Sequence, residues 1–542
     1  MESLKDEKTI SKSVGRHDGG NHFSTSIDGV EIHASTDREQ KMTLLEGLKL
    51  YPKAVWWSVF ISTAVIMEGY DIGLLGSFYG FPAFQKKFGE SLGNGKYNIS
   101  APWQSGLTQA MHVGQIFGLM INGWAMDRFG FKKTQIAALF VMSGFVFIQF
   151  FAKSIEMLLV GELLIGFPLG IFLTLTTVYA AEVCPVVLRP YLTTYVNLCW
   201  SIGKYISTGI LRGFLHNTSQ WSWRIPFAIQ WVWVPWLVIG TLLAPESPWW
   251  FVRQGRLDDA RKSLRRLRSN PLDHEIEADI SMMVATNAHE KSLDEGMTYL
   301  DCFKGINLRR TEIACTAWSI QPMLGFALAG QATYFLEQAG LSSDHAFDMS
   351  LGSLSIGFVG GLAAWLFVNR FGRRPLYTYG LAGIFVIQMA IGLLAIPKQS
   401  GGTAWATGVM PLIFTAIYAV SVGPVCYAIV AEVPSTRLRS KTAALARNAY
   451  NIFSIVNNII TNYQINATAW NWKGYTGFFW AGFCGLCWVW SYYRLPELKD
   501  RTFAELDILF ESKIPARQFK ATKVDDTAIL SEGACGDEES AA

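Results

Sequence analysis

Apolar residues along this chain gather into runs of about 20, with polar stretches between them. A run of that length crosses a bilayer core about 30 Å thick as a helix. Twelve such runs are read, centred near residues 68, 114, 142, 168, 201, 235, 324, 358, 386, 420, 452 and 484. The pattern predicts an all-α membrane protein with twelve transmembrane helices. The first 45 or so residues are polar and lack the apolar centre of a cleaved signal peptide, so the first membrane helix is expected to direct insertion. The segment after Leu509 is polar again and is expected to be disordered. Termini on one side of the membrane require an even number of spans, which twelve satisfies.

Composition agrees: half of the 542 residues are hydrophobic and 16% are charged, against roughly a quarter in soluble chains. A net charge of +3 is too small to point to nucleic acid. The basic residues instead report topology, since cytoplasmic loops collect Lys and Arg. Arg128, Lys132 and Lys133 follow the second run, Arg370, Arg373 and Arg374 the eighth, and Arg437, Arg439 and Lys441 the tenth. The stretch between the sixth and seventh runs is the most basic, with Arg253, Arg256, Arg261, Lys262, Arg265, Arg266 and Arg268. All fall on one side if both termini are cytosolic. The Asn-x-Ser/Thr acceptors Asn98, Asn217 and Asn466 then fall on the other side, where glycosylation is expected. Of the eight cysteines, Cys484-x-x-Cys487 could be read as a redox or metal pair. Inside an apolar helix, without His or a further Cys pair, buried packing is the stronger reading. No disulfide, metal or cofactor is expected.

Two acids interrupt the first apolar run, in the text Met67-Glu68-Gly69-Tyr70-Asp71. Charged side chains at bilayer depth are costly and by default mark an ion or proton pathway. Three residues apart on a helix, both carboxyls share one face, which is expected to look into the protein.

The chain also repeats itself once. Asp127-Arg128-Phe129-Gly130-Phe131-Lys132-Lys133 returns as Asn369-Arg370-Phe371-Gly372-Arg373-Arg374, 242 positions later. Glu182 and Arg189 return as Glu432 and Arg439 at an offset of 250, and Pro245-Glu246 as Pro496-Glu497 at 251. This predicts two parallel six-helix halves joined by a linker, one of the transporter architectures built from repeats. The expected division is a cytosolic N-terminus (1–50), a first half (51–245), a cytosolic linker (246–310), a second half (311–495) and a cytosolic tail (496–542). Within the linker, residues 257–267 read as an amphipathic helix. Gly130 and Gly372 suit tight turns. The charged residues Asp127, Arg128, Glu182, Arg189, Arg370, Arg373, Glu432 and Arg439 are expected to tie helix ends together as a cytosolic gate, the pairs Glu182–Arg189 and Glu432–Arg439 among them. The alternative is that they set topology and contribute little energy, as exposed ion pairs usually do.

These motifs resemble the sugar porters of the major facilitator superfamily over residues 50–512. To those above, the resemblance adds Gly69-Tyr70-Asp71-Ile72-Gly73, Pro245-Glu246-Ser247-Pro248-Trp249-Trp250, Gly423-Pro424-Val425-Cys426 and Pro496-Glu497-Leu498-Lys499-Asp500-Arg501-Thr502. Within that group the chain is most similar to the fungal maltose/α-glucoside permeases, through Met67-Glu68-Gly69-Tyr70-Asp71, the stretch from Tyr191 to Trp200, and Thr333-Tyr334-Phe335-Leu336-Glu337. The resemblance implies the major facilitator fold, a monomer in the plasma membrane, and a mid-membrane sugar site opened alternately to each side. It carries the sugar-facing positions onto Asn197, Lys204, Gln321, Tyr427 and Tyr450 or Asn451, whose amides and rings suit hydroxyls and the apolar face of a pyranose. Helix–helix hydrogen bonding is the plainer role for each polar one. The chain departs from glucose-type porters at Pro322, Ala327, Tyr427, Asn197 and Lys204. Those departures fit an oligosaccharide better than a plain hexose.

In proton-coupled members the carboxylate matching Asp71 pairs with an Arg in the fourth span; here that position is Glu162. Glu68, Asp71, Glu162 and Lys204 fall at similar depth, and all four cannot be charged at low cost. Asp71 with Glu68 is therefore expected to carry a coupled proton, with Lys204 as counter-ion in place of the Arg. Arg447 is a separate candidate for holding substrate or a gate. The expectation is import of an α-glucoside of the maltose, sucrose, trehalose or raffinose type by proton symport, with sugar, proton and lipid as partners. Alternatives are a facilitative hexose carrier, if Lys204 and Glu162 form a fixed pair, or an efflux carrier for a non-sugar metabolite. An enzyme or ATP-driven pump is not expected, because residues 89–96 lack the spacing of a phosphate loop.

Overall fold

The structure is a computed structural model that describes residues 44–522, apart from 94, 186, 270–272, 295–297, 326–327, 329, 398–400, 436–437, 500 and 502. Ala327 and the ends before residue 44 and after 522 lie outside the described residues. The disorder expected of residues 1–50 and of those after Leu509 is corrected where the chain is described, since Leu44–Leu50 is helical and Phe510 and Phe519 are buried in the apolar core with their rings 5.1 Å apart. The long helical stretches are α1 (Pro52–Phe78, turning at Thr63), α2 (Ala101–Phe129), α3 (Phe131–Phe150), α4 (Ile155–Val183), α5 (Arg189–Phe214) and α6 (Trp221–Leu243). They continue as α7 (Gly305–Met323), α8 (Ser343–Phe371), α9 (Arg373–Leu394), α10 (Gly401–Glu432, turning at Ser421), α11 (Arg439–Ile465) and α12 (Thr476–Arg494). Each apolar run expected from the sequence falls in, or at the end of, one of these stretches. Among the described residues seven stretches are long and apolar enough to cross a membrane: α1, α3, α4, α6, α9, α10 and the Ser343–Ala364 part of α8.

Helices α2, α5 and α11 are equally long but more polar, for a reason the packing supplies. They line the interior cavity described below, so their polar residues face inward. Among α1–α6, α1 packs on α5 and α2 on α4; among α7–α12, α7 packs on α11 and α9 on α12. The two sets meet where α5 packs on α8 and α2 on α11.

Glycine sets the closest of these contacts. A Cβ on Gly118 of α2 would lie 2.0 Å from the Phe167 carbonyl oxygen of α4, and one on Gly114 would lie 2.1 Å from that of Leu163. From the other side, Gly166 and Gly170 approach the Met111 and Gln115 carbonyls as closely. This is the small-xxx-small packing by which membrane helices gain dispersion contacts without a hydrophobic drive between them. Gly69 of α1 and Gly203 of α5 do the same for their pair.

The repeated motifs sit at one end of the bundle and have matching jobs. Gly130 (φ 83°) and Gly372 (φ 89°) turn the chain from α2 into α3 and from α8 into α9. The Glu246 carboxylate accepts the N–H groups of Phe131 (2.9 Å) and Lys132 (3.2 Å), and Glu497 accepts that of Arg373 (3.0 Å). Each acid thus sits on a helix N-terminus, where free N–H groups and the helix dipole favour an anion. Burial pushes the Glu246 carboxyl above its ordinary pKa, while these backbone donors oppose the shift. A side chain at either glycine would collide with the acid, 2.8 Å from Glu246 and 2.7 Å from Glu497. The stretch expected to be an amphipathic helix is one, Leu257–Leu267, and it buries Ala260 and Leu264 against Val252, Ile276 and Ile280.

At the opposite end a hairpin that the sequence reading lacked pairs Glu90–Gly93 with Lys96–Asn98 and delivers Asn98 to the junction between the two sets. Here the glycosylation expectation needs correction. Asn98 and Asn466 are buried, and Asn98 Nδ2 donates to Asn466 Oδ1 at 2.8 Å. Asn466 Nδ2 donates to the Ile99 carbonyl at 2.8 Å, and Tyr334 donates its hydroxyl proton to Asn98 Oδ1 at 3.0 Å. A glycan on either nitrogen would displace these bonds. Asn217 alone of the three is exposed. In a glycosylating host one endoglycosidase-sensitive mobility step is expected, removed by Asn217→Gln and retained by Asn98→Gln.

Candidate functional site

The acids of α1 are interior, as their spacing requires. Glu68 is 4% exposed, and Asp71 and Glu162 are fully buried. Burying carboxyls demands hydrogen-bond donors, and three amides supply them. Gln230 of α6 donates Nε2 to Asp71 Oδ1 at 3.0 Å. Gln149 of α3 turns its Nε2 toward both Glu162 Oε1 (2.8 Å) and Asp71 Oδ1 (3.4 Å). Gln115 of α2 donates to Glu68 Oε1 at 2.9 Å. The Gln149 amide thus bridges Asp71 and Glu162, while the other oxygen of each, Oδ2 and Oε2, is buried without a hydrogen-bond partner among the described residues.

The role expected of Lys204 as counter-ion to Asp71 is corrected by this geometry. The donors on Asp71 are amides, and the Lys204 ammonium instead lies over the Trp200 ring, 3.6 Å from its centroid. This is a cation–π arrangement, made possible because the two residues are one helical turn apart on α5. The acid whose field Lys204 feels is Glu68, which also faces Arg447 of α11. Lys204 and Glu162, the fixed pair of the facilitator alternative, likewise have different neighbours.

Between the two helix sets lies a cavity of about 110 Å³. Its wall includes Lys204 and Trp200 from α5, His112 and Thr108 from α2, Gln331, and Tyr450, Ser454, Asn457 and Asn458 from α11. Small-molecule sites usually measure roughly 300 Å³ or more, so this conformation is a contracted one. Of the expected sugar-facing residues, Lys204 and Tyr450 reach the wall. Gln321 does not; its amide donates to Cys426 Sγ at 2.9 Å and accepts from the Tyr418 hydroxyl at 2.5 Å. Its neighbour Pro322 takes the place on the wall. Tyr427 stacks edge-on against Trp318, and Arg447 lies between the Trp318 and Tyr450 rings, 5.5 and 5.0 Å from their centroids. Asn451 is half-buried beside this cluster and off the wall. The side chain of Asn197 lies outside the described residues.

Sequence reasoning missed Gln115, Gln149, Gln230 and His112. The available signal was each one's isolation as a polar side chain in an apolar or small-residue context.

The gate residues are distributed otherwise than expected. Glu182 meets Arg253 at 2.7 Å and the Ser247 hydroxyl, where Arg189 was expected. Glu432 is gripped in a two-pronged contact by Arg373, at 2.7 and 3.1 Å, where Arg439 was expected. The side chains of Arg189 and Arg439 lie outside the described residues. Asp127 takes part through its backbone carbonyl, which accepts from Trp250 Nε1 (3.0 Å) and Gln254 Nε2 (2.9 Å). The Arg370 carbonyl accepts from Lys499 (3.2 Å), and the side chains of Arg128 and Arg370 are exposed. Each carboxylate contact stays within one helix set or its adjoining segment. Among the described residues, side-chain hydrogen bonds that join the two sets lie at the opposite end, around Asn98 and Asn466 and at the rim pair of Arg212 with Asp348.

The family profile described as "Sugar (and other) transporter" matches residues 57–510. The chain belongs to this family of sugar transporters. It is 42% identical over 499 residues to the maltose permease MAL61 of Saccharomyces cerevisiae, covering 91% of this chain and 81% of that one. It is 40% identical over 501 residues to the general alpha-glucoside permease of the same yeast, with the same coverage. Among solved structures it resembles the major facilitator superfamily proton:xylose symporter XylE, with a TM-score of 0.65 and 17% identity, over 85% of this chain and all of that one. The fold is that superfamily's. As a sugar transporter of this fold the chain is a multi-pass membrane protein and not an enzyme. Its cavity lies where helices α1, α2, α5, α7 and α11 converge.

Proposed function

We propose that this transporter imports α-glucosides together with protons, alternating between inward- and outward-open forms. In this reading α1–α12 are twelve spans in two parallel halves, both termini and the linker face the cytosol, and the protein works as a monomer in the plasma membrane. One observation carries the coupling claim: three carboxyls, Glu68, Asp71 and Glu162, are buried together and held by the amides of Gln115, Gln149 and Gln230, an arrangement in which low dielectric and like charge favour a proton on at least one of them. The α-glucoside claim is supported by the maltose and alpha-glucoside permeases to which the chain is about two-fifths identical. A wall of amides, hydroxyls and the rings of Trp200 and Tyr450 suits a pyranoside. With bonds between the sets gathered around Asn98, this conformation is closed on that side.

Uptake of labelled maltose into proteoliposomes tests the proposal. Accumulation driven by an inward proton gradient, and collapsed by an uncoupler, is the expected result. Entry that only equilibrates with or without the gradient would make the protein a facilitator. No entry of maltose, sucrose, trehalose or raffinose would overturn the substrate claim.

A further inference from the structure

The cavity wall and the acid of α1 are joined by a chain of only two hydrogen bonds. His112, on the wall, has Nδ1 3.1 Å from Gln115 Oε1, and Gln115 Nε2 is 2.9 Å from Glu68 Oε1. His112 and Gln115 are three apart on α2, which sets them on one face of the helix. Glu68 Oε2 is buried without a hydrogen-bond partner among the described residues. A half-satisfied buried carboxyl is costly to leave so, and the free oxygen is open to a proton.

We propose that Gln115 and His112 report the protonation of Glu68 to the sugar, by switching the wall between a hydrogen-bond acceptor and a donor. Ionised Glu68 only accepts, so it compels Gln115 to present Nε2 to it and Oε1 to His112. Oε1 also only accepts, so the neutral imidazole must carry its proton on Nδ1, and Nε2 faces the ligand as an acceptor. A proton on Glu68 removes the compulsion. The amide is then free to turn, Nδ1 can accept from its NH2 group, and the ring proton resides on Nε2 after exchange through cavity water. The net change is one proton gained by Glu68; the imidazole keeps the same number of protons and moves one between nitrogens.

The switch matters for a glycoside because its ring and bridging oxygens accept hydrogen bonds and cannot donate. The donor form of His112 can bond such an oxygen and the acceptor form cannot. Sugar binding and protonation of Glu68 therefore favour each other, and by linkage the effect runs equally in both directions. The charged groups facing Glu68 are Lys204 and Arg447, and the same two face His112. They shape the field around both groups but lie outside the hydrogen-bonded chain. In this scheme His112 is a substrate-binding residue and Gln115 a positioning residue. The inference rests on the proton-coupled sugar transport proposed above.

Maltose binding to the purified full chain, read by tryptophan fluorescence with Trp200 on the wall as reporter, tests it at about pH 5 and about pH 8. The parent is expected to bind about five- to tenfold more weakly at the higher pH, the loss of roughly one hydrogen bond. In Gln115→Met, which keeps side-chain volume but breaks the chain, and in His112→Ala, the dissociation constant is expected to stay level with pH. The double variant is expected to match the single ones, because both cut the same chain. A parent-like pH dependence surviving in Gln115→Met overturns the relay, even if His112→Ala proves unstable. A parent that binds maltose equally at both pH values overturns it too. A parent that binds no α-glucoside at any pH instead removes the function on which the relay rests.

Discussion

Asp71→Asn is expected to abolish uphill sugar accumulation while leaving the fold intact. The substitution is nearly isosteric. The new Oδ1 can still accept from Gln230 and Gln149, and the new amide nitrogen takes the place of Oδ2, which has no hydrogen-bond partner among the described residues. What is lost is the ability to take up and release a proton. A driving potential of about 100 mV is worth about 2.3 kcal/mol per charge moved, and each 1.4 kcal/mol is about tenfold. One coupled proton therefore sustains about fiftyfold accumulation in the parent, and the variant is expected to fall to simple equilibration. Proteoliposomes carrying a valinomycin-set potential and a pH gradient make the measurement. Unchanged accumulation would move the coupling role from the Asp71–Glu162 pair to Glu68 alone.

Gly118→Leu is expected to be the most damaging single change in the α2–α4 contact. Its Cβ would sit 2.0 Å from the Phe167 carbonyl oxygen and 3.2 Å from the Gly170 Cα. Overpacking a core costs about 1–3 kcal/mol when side chains can yield. Here the obstacle is backbone, so the cost lies at the top of that range or beyond, and α2 must leave α4. That separation would also displace Gln115 from Glu68. Gly123→Leu, on the same helix but with nothing within 4 Å of the added Cβ, is the matched control. Melting of detergent-solubilised protein, followed by size-exclusion chromatography, is expected to show a lowered midpoint or no folded peak for the first and a parent-like curve for the second. Equal curves would mean that the two backbones are further apart than described.

The helices were legible because membrane crossing imposes a length and an apolar composition that stand out in one dimension. Even so, α2, α5 and α11 are not among the stretches apolar enough to count as spans by composition, since residues facing a cavity dilute the apolar signal. Glu68, Asp71 and Glu162 were legible because a carboxyl in an apolar run is costly enough to need a reason. Their partners were not. Gln149 and Gln230 lie 78 and 159 residues from Asp71, and no periodicity links an amide on one helix to an acid on another. Counting charges by depth pointed to Lys204, since a sequence shows that a cation is near but not which way it turns; Trp200 turns it. The role of Glu246 and Glu497 was half visible. Their recurrence was plain, but their targets are backbone N–H groups, which every residue but proline carries and no motif can mark.

The junction around Asn98 has a consequence for the medium in which the transporter works. Its bonds join amides, hydroxyls and a backbone carbonyl: Asn98 to Asn466 and Tyr334, Asn466 to the Ile99 carbonyl, and Asn462 to Ser105 at 3.1 Å. None of these groups titrates in ordinary media, and neutral dipoles at contact distance are barely screened by dissolved ions. Among the described residues, the exposed rim pairs of Arg212 with Asp344 and Asp348, at 2.6 and 2.7 Å, and of His216 with Asp344, at 3.2 Å, are open to such screening, and exposed pairs contribute little. The buried core of this junction is thus held by forces indifferent to salinity and acidity. In the proposed orientation this end faces outward, so brine or acid surroundings alter the supply of protons without loosening these bonds.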